Sequence, residues 1–387
     1  MIPQYVKNVL LSLNNNGFEA YAVGGCVRDC LMDKIPNDYD VTTNATPDEM
    51  LCTFKSFKVI PTGLKHGTVT VVSDGENIEV TTYRIDGEYV DNRHPQNVTF
   101  TANLKDDLKR RDFTVNAMAM DIDGNILDFY GGKEDLKNKV IKCVGNPDTR
   151  FEEDGLRIVR CIRFASTLGF TIEEQTKKSV HLKKHLLSNI SKERLAVEFS
   201  KLICGNGACE IMIEFCDVIL EFVKGINSDN FEKLKCAPDN LYIRLALCFD
   251  NSASAVDALN DLKFDNYTKK QVKELVDAKL LSKADQYSIK KHLSKYGADS
   301  FNLHISYQQT KYGETLENTK KLFKKIINNK ECYNISMLDI KGDEIISLGS
   351  KGKQTGEILN TLLDEVMSGK IKNQNKILIK KAKELVK

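Results

Sequence analysis

The sequence lacks tryptophan and has almost no net charge, +2 over 387 residues. A protein without an overall positive field would have to hold a nucleic acid through local basic patches. No apolar run is long enough to cross a bilayer. The first 21 residues predict an amphipathic helix and no secretory signal peptide. We therefore expect a cytoplasmic protein that makes no contact with a membrane.

Cysteine pairing is also missing. The 11 cysteines are odd in number and scattered, and none forms a CxxC pair. Cys26 and Cys30 have no matching cysteine or histidine pair at zinc-finger spacing. The sequence therefore predicts reduced thiols and no structural zinc.

Two regions of different character follow one another along the chain. Up to about residue 140, short β-branched runs alternate with helical segments, which predicts an α/β region. The segment RRDFTVNAMAMD is read as a helix that leads into a strand or turn. After about residue 145 the apolar residues recur at helical spacing, and lysine-rich runs such as KKLFKKIINNK and KILIKKAKELVK appear. These runs are either solvated helix faces or a surface that binds an RNA backbone. The fold class predicted is α+β, with a mixed or antiparallel sheet followed by helices.

Glycines, an arginine and two aspartates form the first candidate site. Gly24 and Gly25 end a predicted strand, Arg28 lies on the first turn of the next helix, and Asp38 and Asp40 lie in a second strand. Glycine permits close approach of a phosphate to the backbone. Arginine can bind phosphate oxygens through two parallel hydrogen bonds. The pattern predicts a site for a phosphorylated substrate.

The two aspartates predict a metal site. Residues two apart on a strand point to the same side, so Asp38 and Asp40 can share hard cations such as Mg²⁺. Two Mg²⁺ ions would activate an attacking hydroxyl and stabilise a leaving pyrophosphate. Glu79, among β-branched residues of a later strand, is the candidate third carboxylate, and a solvent-facing glutamate is the alternative.

A second candidate site lies on the segment RFEEDGLRIVRCIR. Asp154, Arg157, Arg160 and Arg163 recur every third residue, so a continuous helix would place them on one face. Cytosine and adenine both present an amino donor beside a ring-nitrogen acceptor, whereas guanine and uracil present the reverse. A carboxylate beside a guanidinium would accept the first pair of bases and reject the second. The alternative is an ordinary ion pair on a helix surface.

Taken together, these residues resemble the motifs of the class II tRNA nucleotidyltransferases, the bacterial CCA-adding enzymes, over residues 20–200. Residues 24–29 with Asp38 and Asp40 resemble the catalytic motif. Residues 110–119 resemble the motif that the family uses around the ribose and triphosphate, which implicates Arg111, Asp112 and Asn116. Residues 128–136 resemble the hinge between head and neck. Residues 153–157 resemble the base-selecting motif, and residues 193–198 resemble the last motif, which supports that helix.

The resemblance implies four parts: a polymerase-β-like catalytic head at 1–142, then a helical neck with the base-selecting helix at 143–208, a body at 209–318 and a tRNA-binding tail at 319–387. It implies addition of C, C and A to the 3′ end of tRNA from CTP and ATP. The acceptor end and the elbow of tRNA would both be bound.

Alternatives remain open from the sequence. They are a poly(A) polymerase, a split enzyme that adds only CC or only A, and a non-catalytic RNA-binding protein. The polar stretch 86–95, with Asp91 and Arg93, resembles the flexible loop of enzymes that add all three nucleotides. The presence of both Asp38 and Asp40 argues against the non-catalytic alternative. The sequence makes no prediction of oligomeric state.

Overall fold

A computed structural model describes residues 2–87 and 98–386. The chain divides into two compact units. Unit 1 comprises residues 1–228 and 258–264, and unit 2 comprises residues 229–257 and 265–387. Within the described residues, no helix combines the length and the hydropathy that a membrane span requires. All 11 cysteines are free thiols, as the sequence predicts.

Unit 1 contains eleven strands and eleven helices within its described residues. The strands are β1 (Ala20–Val23), β2 (Asp40–Thr43), β3 (Lys58–Gly63), β4 (Thr68–Ser73), β5 (Glu76–Thr82), β6 (Arg84–Asp86), β7 (Val98–Phe100), β8 (Met118–Met120), β9 (Ile126–Asp128), β10 (Val140–Ile141) and β11 (Thr171–Ile172). The helices are α1 (Gln4–Asn15), α2 (Gly25–Leu31), α3 (Pro47–Thr53), α4 (Leu104–Lys109), α5 (Gly132–Lys137), α6 (Pro147–Glu153), α7 (Leu156–Leu168), α8 (Glu174–Lys183), α9 (Lys192–Ile203), α10 (Ala208–Glu214) and α11 (Cys216–Ile219).

Seven strands form one mixed sheet in the order β3-β4-β5-β2-β1-β8-β9. β2 and β5 run parallel, and the other neighbours run antiparallel. The register of the parallel pair places Asp40 beside Glu79. Alternation of buried valines with polar residues along β4 and β5 explains the strands, because one face of each packs into the core. The sheet thus brings two distant carboxylates together.

The predicted α+β class is confirmed, but two local predictions were wrong. Residues 110–120 do not start with an α-helix: a single 3₁₀ turn (Thr114–Asn116) separates α4 from β8. The Phe113 and Thr114 backbone pairs with Cys143 and Lys142 instead, so long-range pairing replaces local helix formation. The second wrong prediction is a continuous helix through Asp154, where the structure has a break between α6 and α7.

Unit 2 consists of helices joined by turns and loops, and none of its described residues belongs to a strand. Its helices are α12 (Leu241–Leu247), the first part of α13 (Ser252–Asp261), α14 (Asn266–Asp277), α15 (Gln286–Tyr296), α16 (Phe301–Tyr312), α17 (Glu317–Asn328), α18 (Gly342–Ser347), α19 (Lys353–Met367) and α20 (Asn375–Val386). Its apolar residues form two buried clusters, one centred on α15 to α17 and one on α18 to α20. Asp265 and Asp285 accept hydrogen bonds from the amides of Thr268 and Ser288, which explains where α14 and α15 begin.

Candidate active site

Three acidic side chains line one cavity on the sheet of unit 1. Asp38 lies two residues before β2, Asp40 is the first residue of β2, and Glu79 stands opposite Asp40 on β5. The cavity has a volume of about 470 Å³. Its other lining residues are Tyr39, Ile60, Thr62, Thr70 and Asn77. The structure therefore brings together the three carboxylates that the sequence singled out.

The carboxyl group of Asp40 is protonated more readily than an ordinary aspartate. Asp40 as a residue is exposed, but its carboxyl group is poorly solvated within the cavity, and this desolvation raises its pKa to about 6. The positive charge of Arg111 opposes this shift, and the negative charges of Asp38 and Glu79 add to it. A bound cation would relieve this concentration of like charge.

The carboxylates are hard oxygen donors of the kind that Mg²⁺ prefers. Among the described residues, no three histidine, cysteine, aspartate or glutamate side chains are grouped closely enough to enclose a metal by themselves. This agrees with Mg²⁺ sites of phosphate chemistry, where one or two carboxylates bind the ion and substrate phosphates complete its coordination. The residues present therefore fit a divalent cation such as Mg²⁺.

Gly24 joins β1 to α2 in a conformation that favours glycine. Its φ is +81°, and a Cβ atom there would lie 2.9 Å from Nη1 of Arg111. Arg111 is held near Asp107, with 3.7 Å between Nη2 and Oδ2. Its Nε is buried and has no hydrogen-bond partner within the described part of the chain. The glycine thus leaves room for an arginine directly behind the carboxylate cavity.

Arg28, Asn116 and Asp112 form a buried hydrogen-bond chain. Nη1 of Arg28 donates to Oδ1 of Asn116 at 2.7 Å, and Nδ2 of Asn116 donates to Oδ1 of Asp112 at 3.2 Å. Nε and Nη2 of Arg28 donate to Asp29 at 2.9 and 2.8 Å. Arg28 is therefore fixed on two sides, and Asn116 orients it.

Asp112 continues the chain to helix α7. Its Oδ2 accepts from Nε and Nη2 of Arg160 at 2.9 and 2.6 Å. Burial alone would raise the pKa of Asp112, but the charge and hydrogen bonds of Arg160, with the bond from Asn116, lower it to about 2. Asp112 therefore stays ionised and holds the Arg160 guanidinium in place.

The predicted continuous helix through Asp154 was wrong. α6 ends at Glu153, Asp154 is extended with φ −140° and ψ 104°, and α7 starts at Leu156. Oδ1 of Asp154 accepts from the Leu156 amide at 3.0 Å. An aspartate that binds the amide two residues on forms an Asx turn, and this turn interrupts the helix just before Gly155, the N-cap of α7. Arg157, Arg160 and Arg163 do recur along α7, as predicted.

The side chains of Asp154 and Arg157 each bind another residue. Oδ2 of Asp154 accepts from Nη2 of Arg194 at 3.0 Å. Nη1 of Arg157 donates to Oε2 of Glu153 at 2.5 Å, and its Nη2 donates to the Arg110 carbonyl at 3.0 Å. Each residue of the predicted base-reading pair is thus held by a partner outside the pair.

Two side chains of helix α9 hold the predicted nucleotide-binding residues Asp154 and Arg163 in place. Arg194 binds Asp154, and Glu198, one turn later, accepts from Nε of Arg163 at 2.8 Å.

The ring of Phe164 lies beneath three guanidinium groups, 3.4 Å from that of Arg163 and 5.3 Å from those of Arg28 and Arg160. The sequence showed Phe164 only as one more apolar residue of α7, with no signal for this role.

The predicted loop residues Asp91 and Arg93 lie outside the described residues. The adjoining hairpin of β6 and β7 is described, and its Phe100 ring packs against Gly67, where an added Cβ would lie 2.7 Å from the ring. Gly67 has a φ of +78°, so both the space and the backbone favour glycine there.

Three family models match consecutive parts of the chain. The Poly A polymerase head domain matches residues 20–142. The probable RNA and SrmB-binding site of polymerase A matches residues 169–217. Domain 2 of tRNA nucleotidyltransferases matches residues 239–382.

Curated relatives and solved structures agree with these matches. A CCA-adding enzyme of Staphylococcus haemolyticus is 35% identical over 98% of each chain. One of Oceanobacillus iheyensis is 42% identical over 70% of this chain and 69% of its own. The crystal structure of the Bacillus stearothermophilus CCA-adding enzyme in complex with CTP superposes with a TM-score of 0.86, at 27% identity, over 99% of this chain and 98% of that one. The chain therefore belongs to the class II tRNA nucleotidyltransferase and poly(A) polymerase family, among the bacterial CCA-adding enzymes.

Proposed function

We propose that this protein adds C, C and A to the 3′ end of tRNA from CTP and ATP and releases pyrophosphate. The observation that carries the proposal is the convergence of Asp38, Asp40 and Glu79 on one cavity, beside a buried network that leads from Arg28 to the arginines of α7. The curated relatives, which are CCA-adding enzymes over nearly the whole chain, support it.

The chemistry assigned to the cavity is nucleotidyl transfer. The 3′ hydroxyl of the RNA loses its proton and attacks the α-phosphorus, and the bond from that phosphorus to the bridging oxygen breaks to release pyrophosphate. Asp38 and Asp40 are the proposed ligands of two Mg²⁺ ions, and Glu79 is the proposed third carboxylate. Bound Mg²⁺ supplies Lewis acidity for the hydroxyl and for the leaving pyrophosphate.

Arginines and glycines would hold the triphosphate. An added Cβ would lie 2.9 Å from Arg111 at Gly24 and 3.5 Å from Arg28 at Gly25, so the glycines leave room for both guanidinium groups, and the charge of Arg111 acts on Asp40 in the cavity. Arg28 is oriented by Asn116, so the proposed contribution of Asn116 is to position Arg28. Asp112 in turn positions Arg160.

Base choice is assigned to Asp154 and Arg157. The Asp154 carboxylate would accept from the amino group of cytosine or adenine, and Arg157 would donate to the adjacent ring nitrogen. In the structure Asp154 binds Arg194 and Arg157 binds Glu153. A base that enters the site must therefore replace part of these two interactions. Arg160 and Arg163 complete the proposed nucleotide site.

The remaining assignments concern the RNA. We assign a catalytic head to 1–142, a neck to 143–208, a body to 209–318 and a tail to 319–387. The tail carries the lysine-rich helices α17 and α20, whose charge suits the phosphates of the tRNA elbow. A cytoplasmic location follows from the proposed substrates.

The proposal is tested by extending a tRNA that lacks its last three nucleotides with labelled CTP, ATP, GTP and UTP, singly and mixed. We expect two C and then one A, followed by arrest. Long A tails on unrelated RNA would make the protein a poly(A) polymerase. Arrest after CC, or addition of A alone, would show a split activity.

A further inference from the structure

Unit 2 contains a cavity of about 1030 Å³ that nucleotide addition does not use. It lies between helix α15 and the loop that precedes it, with Glu314 from the segment between α16 and α17. Small-molecule sites commonly have volumes of about 300–1,000 Å³. The cavity is therefore large enough for a ligand of several ring systems.

The cavity wall is positively charged. Lys279, Lys283, Lys291 and Lys295 line it, against the single carboxylate of Glu314. Lys291 is paired with Asp364. Lys279 and Lys283 are exposed, and no ion pair found within the described residues includes them. An anionic ligand would meet at least two available ammonium groups.

An aromatic cluster forms another part of the wall. His292 and Tyr296 both line the cavity, with ring centroids 4.8 Å apart. His292 is only 6% exposed, and its Nε2 has no hydrogen-bond partner in the described part of the chain. A ring nitrogen of histidine can donate or accept a hydrogen bond. A ligand that offers a hydrogen bond to this ring would supply that partner.

We propose that this cavity binds a nucleoside phosphate, with its phosphate at Lys279 and Lys283 and its base against Tyr296 and His292. Lysines bind phosphate as point charges, aromatic rings stack with bases, and a ring nitrogen can exchange a hydrogen bond with a base edge. The apolar Leu280 and Leu281 of the wall favour a ligand with a flat organic part over an inorganic anion. The inference is independent of the function proposed for unit 1.

The test is equilibrium dialysis of the full chain with radiolabelled GMP, whose base the Asp154 site is not expected to accept. We expect one GMP bound per chain. The variant K279E/K283E should weaken binding about tenfold or more, because it replaces two positive charges beside the phosphate with negative ones. The matched control is K372E/K376E, which reverses two exposed lysines of the same unit away from the cavity.

A second variant guards against loss of folding. His292→Phe keeps an aromatic ring and removes the nitrogens, and it should weaken GMP binding while the helical circular dichroism is retained. Displacement of GMP by tRNA would identify the ligand as a nucleotide of RNA, and persistence of GMP would identify it as a free nucleotide. Absence of GMP binding, equal loss in K372E/K376E, or equal competition by inorganic phosphate would overturn the proposal.

Discussion

Arg160 and Asp112 form an ion pair in which Nε and Nη2 of the arginine both donate to one carboxylate oxygen, Oδ2, at 2.9 and 2.6 Å. The pair joins the segment before the 3₁₀ turn of the head to helix α7. It also ends the chain of bonds that begins at Arg28. The position of Arg160 thus depends on a residue 48 positions earlier in the sequence.

Replacing Asp112 with Asn should destabilise the protein and impair nucleotide addition. Asp112 is buried but Arg160 is about one third exposed and lies 3.6 Å from Glu198 as well, so the loss of stability should be about 1–3 kcal/mol. Urea unfolding and the rate of CTP addition would measure the two effects. Glu152→Gln removes an exposed ion pair with Lys183 and should change the stability little, because solvent screens such pairs. Equal effects of the two variants would contradict the structural role given to Asp112.

Replacing Asp154 with Ala should relax base choice and leave metal binding unchanged. The variant removes the acceptor for the amino group of C or A, so misincorporation of GTP and UTP should rise. Arg194→Ala should have a smaller effect in the same direction, because Asp154 loses the support at 3.0 Å. The ratio of GTP to CTP incorporation measures both. An Asp154→Ala enzyme that still rejects GTP and UTP would end the templating proposal.

Replacing Glu79 with Gln separates the two readings of this residue. If the carboxylate takes part in the cavity chemistry, the rate should fall about 10²-fold or more, as for other groups that stabilise transition-state charge. Glu76→Gln, on the same strand but paired opposite Ser73, is the matched control and should retain activity. Retention of full activity by Glu79→Gln would identify Glu79 as a solvent-facing residue.

Replacing Gly24 with Ala should reduce activity more than stability. The new Cβ would lie 2.9 Å from Arg111, so the arginine must move away from the carboxylate cavity. Gly17→Ala is the control, because φ is +84° there but nothing lies within 4 Å of the added atom. Gly17→Ala should lose about 1–2 kcal/mol through backbone strain, and Gly24→Ala should lose more, because its φ of +81° with ψ of −134° is a conformation that other residues rarely adopt. Only Gly24→Ala should also lower kcat, which primer extension at saturating CTP would show.

Unit 2 should lose stability in mild acid. Burial lowers the pKa of His292 to about 4 and that of His304 to about 3. Both are therefore neutral when folded, whereas the unfolded chain takes up protons below its ordinary histidine pKa of about 6.5. Stability should fall as the pH drops from about 6.5 towards 4, by roughly 2–3 kcal/mol for each histidine.

Urea unfolding at pH 7.5, 5.5 and 4.5 tests this prediction. The quantity compared among the variants is the change in the free energy of unfolding with pH. His304→Leu should flatten the dependence. His185→Gln alters an exposed histidine and should leave it unchanged. An unaltered dependence in His304→Leu would show that other groups cause the acid sensitivity.

Local sequence signals were sufficient for much of the fold. The strands β1, β4 and β5 and the helices α9, α12, α14 and α19 follow from periodicity, because each buries one side of a regular element. Residues 110–120 were misjudged because their backbone bonds reach Lys142 and Cys143, which no local pattern indicates. The break at Asp154 had a local signal, an aspartate before glycine, but the apolar spacing on either side concealed it.

The sequence by itself determined which residue types this site contains: the aspartate pair, the glycine turn and the arginines of α7 stand at spacings set by strand and helix geometry. Only the tertiary structure decided their partners. Glu79 meets Asp40 through the register of two parallel strands, and Asp154 binds Arg194. Hydrogen bonds and ion pairs depend on distances of a few ångströms between side chains, and long-range packing sets those distances.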